Sequence, residues 1–176
     1  DTYEINGQYD SLKSAIGQYG CTTISVDEEG ILLRVSTKNI KLELNLRRGL
    51  TIQNLAFASH EMEPCIGTLS HGYFPCISLG ADYYSGTTVI EMPLLRRRAT
   101  DLEKVEPIFL IKDNGNIEIH AEIRTQFGNI IKVIEVSANS EKVSLSYNFS
   151  KWDKIVGSVR LGTMTLLNQF RHKNTK

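Results

Sequence analysis

Strict alternation of apolar and polar residues runs through most of this chain, and it is the feature that most limits the possible folds. From Ile40 to Arg47, isoleucine or leucine occupies every second position, and Lys, Glu, Asn and Arg occupy the positions between. The same pattern recurs from Ile117 to Arg124. Successive side chains of a β-strand point to opposite faces of a sheet, so the pattern predicts strands with one buried face. In the second of these strands it places His120 on the solvent-facing side.

Turn-forming residues separate the predicted strands. Arg48-Gly49 follows the first strand, and Asp113-Asn114-Gly115-Asn116 introduces the second, where Asn and Gly tolerate positive φ. Strands are predicted over Thr22–Val26, Ile31–Val35, Ile40–Arg47, Leu50–Phe57, Thr87–Met92, Val105–Ile111, Ile117–Arg124, Ile130–Val136, Val143–Phe149 and Ile155–Leu161. The three strands after Asn116 would form a meander. So many strands at a spacing of roughly 8 to 12 residues indicate an all-β fold, an antiparallel β-sandwich, with a closed barrel as the alternative.

One short N-terminal helix is predicted, over Tyr9–Tyr19, with Asp10 as its N-cap, because its apolar residues have helical spacing. Residues 1–20 would then be a helical lead, and residues 21–176 the β-sandwich domain. The lead resembles the tail of an earlier element, and the chain ends in polar residues. We therefore expect it to be part of a longer polypeptide.

Composition excludes several classes of partner. The 176 residues contain 20 Lys+Arg and 20 Asp+Glu, so the formal net charge is zero and no large basic field is available to bind nucleic acid. No apolar run approaches the roughly 18 residues that a membrane span needs. Cys65 and Cys76 could pair if their strands adjoin, but reduced, buried thiols are favoured for these two and Cys21, which indicates a cytoplasmic location.

Aromatic and polar residues crowd the stretch from His60 to Arg98, where the alternation is poorest. Loops that interrupt a regular scaffold often hold binding sites. Sugars present apolar C–H faces and hydroxyl edges, so a carbohydrate site needs aromatic rings for area and polar neighbours for orientation. The candidate carbohydrate-binding residues are Tyr73, Asp82, Tyr83, Tyr84 and Trp152.

Other chemistries have weaker signals. His60 and His71 lack the HxH or HExxH spacing that brings metal ligands together, and no nucleophile elbow or phosphate-binding loop is present, so we expect no metal and no cofactor. Paired carboxylates for glycoside chemistry are available, but their separation is not encoded in the sequence. Arg96-Arg97-Arg98 is typical of an edge strand protected by charge.

Two segments carry a resemblance to a known family. Leu44-Asn45-Leu46-Arg47-Arg48-Gly49-Leu50-Thr51-Ile52 and the later Val143-Ser144-Leu145-Ser146-Tyr147-Asn148-Phe149 resemble strands of the galactose mutarotase-like β-sandwich. The chain looks most like the C-terminal domain of α-amylase or glucanotransferase-like enzymes of glycoside hydrolase family 57. That resemblance implies a noncatalytic accessory domain. Its partners would be an N-terminal catalytic domain of the same polypeptide and an oligo- or polysaccharide, with α-glucan as the expected ligand.

A local match suggests an alternative. His71-Gly72-Tyr73-Phe74 is similar to the His-x-Tyr-Phe segment of aldose epimerases, which implies His71 as general acid and Glu91 as base. That family continues with Asn-Leu, whereas Pro75-Cys76 follows here. A purely structural or assembly domain is the third hypothesis.

Overall fold

The computed structural model describes residues 9–70, 72, 76–152 and 157–167. In this part of the chain three antiparallel sheets form. The six-stranded sheet contains, in spatial order, Gly17–Tyr19 (β2), Thr22–Val26 (β3), Leu32–Ser36 (β4), Ile40–Asn45 (β5), Thr51–Phe57 (β6) and Pro64–Gly67 (β7). The five-stranded sheet contains Asp10–Ser11 (β1), Ile108–Ile111 (β10), Ile117–Thr125 (β11), Gly128–Val136 (β12) and Val143–Ser150 (β13). The three-stranded sheet contains Ser158–Thr163 (β14), Thr87–Met92 (β8) and Arg97–Thr100 (β9), and 3-10 helices span Ala58–His60, Ile77–Tyr83 and Pro93–Leu95.

The all-β prediction is confirmed, as are most of the predicted strands. The hairpin predicted around Arg48-Gly49 forms between β5 and β6, and the predicted meander forms from β11, β12 and β13. The arginine run leads into β9, which lies at the edge of its sheet as predicted. The strand expected over Val105–Ile111 begins only at Ile108. The expected start of the last strand, Ile155, lies outside the described residues.

The helix predicted over Tyr9–Tyr19 is wrong in its extent. A single helical turn spans Leu12–Ala15, and its N-cap is Ser11, whose hydroxyl accepts a hydrogen bond from the Ser14 backbone N–H; Asp10 is not the cap. Extended segments flank the turn: β1 pairs with β10, and β2 pairs with β3. Both flanking segments form backbone hydrogen bonds with strands of a sheet. A short helix is only marginally stable without tertiary contacts, so the strand pairing prevailed over the helical spacing of the apolar residues.

Residues of both larger sheets meet in one hydrophobic core. Buried side chains of the six-stranded sheet, such as Leu33 and Leu42, belong to the same cluster as Phe109, Ile119 and Ile130 of the five-stranded sheet. Leu42 and Ile119 occupy the alternating apolar positions of β5 and β11, the two strands in which the pattern is strict. The alternation therefore identified the core face correctly in these strands.

One charged residue occupies that core face. Lys132 lies between Ile130 and Ile134 on the buried side of β12, and its side chain is fully buried. Its ammonium group lies 2.9 Å from Asp101 Oδ2 and donates to the Gly49 carbonyl at 2.7 Å. The other oxygen of Asp101 accepts the Thr88 backbone N–H at 2.9 Å. Burial raises the pKa of Asp101 and lowers that of Lys132, and in each case this effect exceeds the attraction between the two charges.

These contacts join all three sheets at one point. Lys132 belongs to the five-stranded sheet, Gly49 to the β5–β6 turn of the six-stranded sheet, and Thr88 to the three-stranded sheet. The ring of Tyr147, directly across from Lys132 on β13, lies 5.8 Å from the ammonium. Its hydroxyl donates to the Gly86 carbonyl at 2.8 Å, and burial raises its pKa far above the usual range.

Gly49 allows this close approach. Its φ is +59°, and a Cβ added there would lie 1.7 Å from the Asp101 carbonyl oxygen. Its backbone N–H also donates to the Glu103 carbonyl at 2.7 Å. A left-handed backbone and contact with a neighbouring carbonyl leave no room for a side chain, so this position requires glycine.

Gly49→Ala is predicted to lower the free energy of unfolding by about 3 kcal/mol or more, because left-handed strain and a backbone clash add together. Gly20→Ala is the matched control, since Gly20 has φ +60° and nothing within 4 Å of its added Cβ. The control is expected to cost about 1 kcal/mol. Urea unfolding of both variants measures their free energies of unfolding. Equal losses in the two variants would contradict the conclusion that the contact between Gly49 and Asp101 requires glycine.

Lys132→Met is predicted to lower the free energy of unfolding by about 3–5 kcal/mol, because it leaves the Asp101 carboxyl buried without its cation. In the double variant Lys132→Met/Asp101→Asn, the asparagine oxygen can still accept the Thr88 N–H. We therefore expect the double variant to unfold at a higher urea concentration than Lys132→Met alone. If the losses of unfolding free energy in Lys132→Met and in Asp101→Asn add up to the loss in the double variant, the two groups are not coupled.

Candidate functional site

A chain of alternating charges crosses the three-stranded sheet. Arg160 of β14 contacts Asp82 at 3.0 Å and Glu91 of β8 at 3.6 Å, and Glu91 also contacts Arg98 of β9 at 2.7 Å. Strand register explains this, because Arg98 lies directly across from Glu91 and β14 lies on the other side of β8. A second nitrogen of Arg98 donates to the Ser78 carbonyl at 3.0 Å, which fixes the start of the 3-10 helix Ile77–Tyr83. We call these four residues the charged row.

Tyr83 and Tyr84 separate at the end of that 3-10 helix. Tyr83 follows Asp82 of the charged row, and 38% of its side chain is exposed. Tyr84 is buried and belongs to a small second core cluster with Ala81 and Leu102. Of the two adjacent tyrosines, Tyr83 thus provides a solvent-facing ring beside charged groups, and Tyr84 packs in the small core cluster.

Trp152 lies in a different environment. Its indole packs against the main core cluster, donates from Nε1 to the Asn129 carbonyl at 3.1 Å, and contacts the edge of Phe149 at a centroid distance of 6.1 Å. It covers Gly128, where an added Cβ would lie 2.7 Å from the indole. The structure therefore places Trp152 in the main cluster and Tyr84 in the other, while Tyr83 and Asp82 lie together.

The remaining predicted site residues divide between described and undescribed parts of the chain. His71 and Tyr73 lie outside the described residues. Glu91 is described, and its carboxylate is contacted by the guanidinium groups of Arg98 and Arg160. The pairing of His71 with Glu91 that the epimerase alternative requires stays a prediction.

Large apolar side chains are exposed around the three-stranded sheet. Leu161 and Val159 of β14 are 52% and 45% exposed, although both belong to a strand of the sheet. The 3-10 helices on either side of β8 and the segment that follows β14 add further exposed residues, which are Leu79, Leu94, Leu95, Met164 and Leu166. An apolar surface of this kind, bordered by a charged row, is typical of a region that contacts another protein surface.

His120 corrects an expectation from the alternation. It was predicted to face solvent, but only 4% of it is exposed. Tyr9 covers it edge-on at a centroid distance of 5.0 Å, and its Nε2 lies 3.1 Å from Glu118 Oε2. Within the described residues its buried Nδ1 has no hydrogen-bond partner. The alternation correctly placed His120 on the face of β11 opposite the main core, but Tyr9 of the N-terminal segment covers that face.

Glu118 connects His120 to a further ion pair on this outer face. Lys112 lies 2.5 Å from Glu118 and 3.2 Å from Glu135. The hydrogen bond from Lys112 lowers the pKa of Glu118, and His120 adds to that effect. The folded pKa of Glu118 therefore lies below its unfolded value of about 4.3.

Glu118→Gln is predicted to lower the free energy of unfolding by about 1 kcal/mol at pH 7. Glu118 stabilises the fold above its unfolded pKa, and this contribution is lost as the pH falls through the lower folded value. The difference between the variant and the unmodified protein should therefore shrink as the pH is lowered below the unfolded pKa, as measured by urea unfolding at pH 7 and at a series of acidic pH values.

Glu122→Gln is the control for this measurement. Glu122 also faces an arginine, Arg124, at 3.3 Å, but the two side chains are 46% and 77% exposed. An exposed pair of this kind contributes little. If Glu122→Gln and Glu118→Gln changed the free energy of unfolding with the same pH dependence, the partial burial of Glu118 would not explain its contribution to stability.

The three cysteines are free, and the predicted burial is confirmed for Cys65 and wrong for Cys21 and Cys76, which are exposed. Burial raises the pKa of the Cys65 thiol. Hydrogen bonding with Ser78, whose hydroxyl lies 3.0 Å away, lowers the pKa of the Cys76 thiol. Cys65 and Cys76 both belong to the stretch where the alternation is poorest, so no periodicity placed either one; the structure buries Cys65 because it lies on the strand β7.

Among the described residues, no group of three or more His, Cys, Asp or Glu could hold a metal ion, and no helix is long and apolar enough to cross a membrane. No known family model matches the sequence, and no curated protein matches it. Functional inference therefore depends on the geometry of this chain itself.

Proposed function

We propose that this chain is a noncatalytic accessory domain of a carbohydrate-active enzyme, resembling the family 57 glycoside hydrolases, that packs on a catalytic domain and binds an α-glucan beside Tyr83. The observation that carries the proposal is the exposed ring of Tyr83 next to the Asp82–Arg160 ion pair. An aromatic ring can cover the C–H face of a sugar, while a carboxylate and a guanidinium bind its hydroxyl groups. The two larger sheets would form the β-sandwich, and their shared buried cluster supports this arrangement.

The charged row supports binding more than catalysis. Each carboxylate in it already faces a guanidinium group, at 3.0 Å for Asp82 and 2.7 Å for Glu91. Such pairs hold hydrogen-bonding groups in fixed positions, which reduces the conformational entropy lost when a ligand binds. Sugar hydroxyls can share these groups without breaking the pairs.

The exposed leucines and valine of the same region support the packing role. Leu161 and Val159 lie directly beside Arg160 on β14, so the alternation of a strand turns them to the opposite face of the sheet from the charged row. A catalytic domain that covered these apolar side chains would remove apolar area from water, while the charged row would stay on the other face.

Tyr83→Ala is predicted to weaken binding of maltoheptaose by about tenfold or more, because the ring provides most of the apolar contact area. Isothermal titration calorimetry with the whole chain measures this affinity. Tyr19→Ala is the matched control, since Tyr19 lies on β2, at the opposite edge of the six-stranded sheet from β7. It should leave the affinity unchanged.

Two results would count against the proposal. If Tyr83→Ala and Tyr19→Ala bound equally well, the site would lie elsewhere. If the unmodified chain bound no maltoheptaose at millimolar concentration, the glycan-binding role would be excluded and only the packing role would remain. Thermal unfolding of each variant distinguishes lost binding from lost structure.

A further inference from the structure

A groove lies on the outer face of the six-stranded sheet, away from Tyr83. Its volume is about 190 Å³. The groove is lined by Arg34, Ser36, Lys41, Leu42, Glu43, Asn54, Ala56, Met62 and Pro64. Polar groups thus form one side, and Met62, Pro64 and Ala56 form an apolar side.

Strand register builds the polar side. Arg34, Glu43 and Asn54 lie directly across from one another on β4, β5 and β6. Glu43 accepts a hydrogen bond from Arg34 Nε at 2.8 Å and one from Asn54 Nδ2 at 2.6 Å. Both carboxylate oxygens are therefore engaged, and the three side chains form a fixed row with further donors on the guanidinium group and an acceptor on the amide.

The charge of Glu43 is maintained in this row. Burial by itself would raise the pKa of its carboxyl, but the hydrogen bonds from Arg34 and Asn54 lower it by more, so the net shift is downward. Glu43 is consequently ionised at neutral pH and offers strong acceptor oxygens to a ligand hydroxyl.

Irregular backbone shapes the groove. The register between β5 and β6 shifts next to Glu43, and the register between β6 and β7 shifts next to Ala56. Such bulges redirect side chains and are common beside functional sites. Glu61 and Met62 also have φ of +57° and +58°, which is costly for residues with side chains and holds Met62 at the rim of the groove.

We propose that this groove is a second glycan subsite, which holds one pyranose ring between Met62 and the row of Arg34, Glu43 and Asn54. The inference rests on the proposed carbohydrate function. A pyranose ring has an apolar face, which Met62 and Pro64 would cover, and hydroxyl groups at its edge, which the polar row would bind. A site on the six-stranded sheet and one on the three-stranded sheet would let the domain hold a glycan at two points.

The test is a two-dimensional NMR titration of the whole chain with maltose. The side-chain amide of Asn54 and the Nε–H of Arg34 should shift and saturate together, while the indole N–H of Trp152 should not move. Asn54→Ala and Met62→Ala should each weaken maltose binding at this site by about fivefold or more. Ser36→Leu, which fills the groove and leaves Arg34, Glu43 and Asn54 in place, should have the same effect.

Asn129→Ala is the matched control. Asn129 donates to Glu122 at 3.1 Å, and Arg124 contacts the same carboxylate, so a second Arg, Glu and Asn row exists on the five-stranded sheet. Removing that amide should leave maltose binding unchanged. An Asn129→Ala variant that loses as much affinity as Asn54→Ala would overturn the subsite.

The two proposals fail separately. If Tyr83→Ala weakens binding while the Asn54 signal stays fixed and the groove variants bind normally, the subsite is excluded and the proposed function stands. If maltose and maltoheptaose shift no signal anywhere, both glycan sites are excluded and only the packing role remains. Two independent sites are supported if the maltose shift of the Asn54 amide is lost in Met62→Ala and Ser36→Leu, that of the Arg34 Nε–H is lost in Asn54→Ala, and the response at Tyr83 is retained in all three variants.

Discussion

The buried pair of Lys132 and Asp101 is the contact that connects the three sheets. An ammonium group inside an apolar core is tolerated only if it has partners, and those of Lys132 come from the β5–β6 turn and from the segment after β9. A slip of β12 by one residue would turn Lys132 to the opposite face and leave Asp101 alone. The pair therefore fixes strand register as well as the distance between sheets.

The backbone around the pair is adapted to it. Gly49 places its carbonyl against the ammonium only because it has no Cβ, and Leu50 continues in the same left-handed region with φ of +53°. Residues with side chains adopt this region at a cost, so the surrounding structure must hold them there. Glu61 and Met62 have the same unusual conformation at the rim of the groove. In both places local strain positions a group that regular strands could not.

Similar sets of side chains have different roles in different places. Arg34, Glu43 and Asn54 repeat the residue types of Arg124, Glu122 and Asn129, yet the first row borders a cavity with an apolar wall and the second includes strongly exposed side chains. Exposed pairs contribute little because water screens them, whereas a row beside an apolar wall can bind an amphipathic ring. Whether such a row can bind a ligand therefore depends on the cavity and the apolar side chains beside it.

The alternation predicts the all-β class, the β5–β6 hairpin and the meander, because the period of two is a local property of the chain. The aromatic and polar stretch from His60 to Arg98 contains Tyr83 and three members of the charged row, but not Arg160. Long-range packing buries Tyr84 and exposes Tyr83, and it brings Tyr9 over His120. Lys132 shows the division clearly: its strand was predicted from the sequence, but its burial was not, and its partner Asp101 is 31 positions away in the chain. Contacts between distant segments determine which charges are paired and which faces are covered, and no local pattern records them.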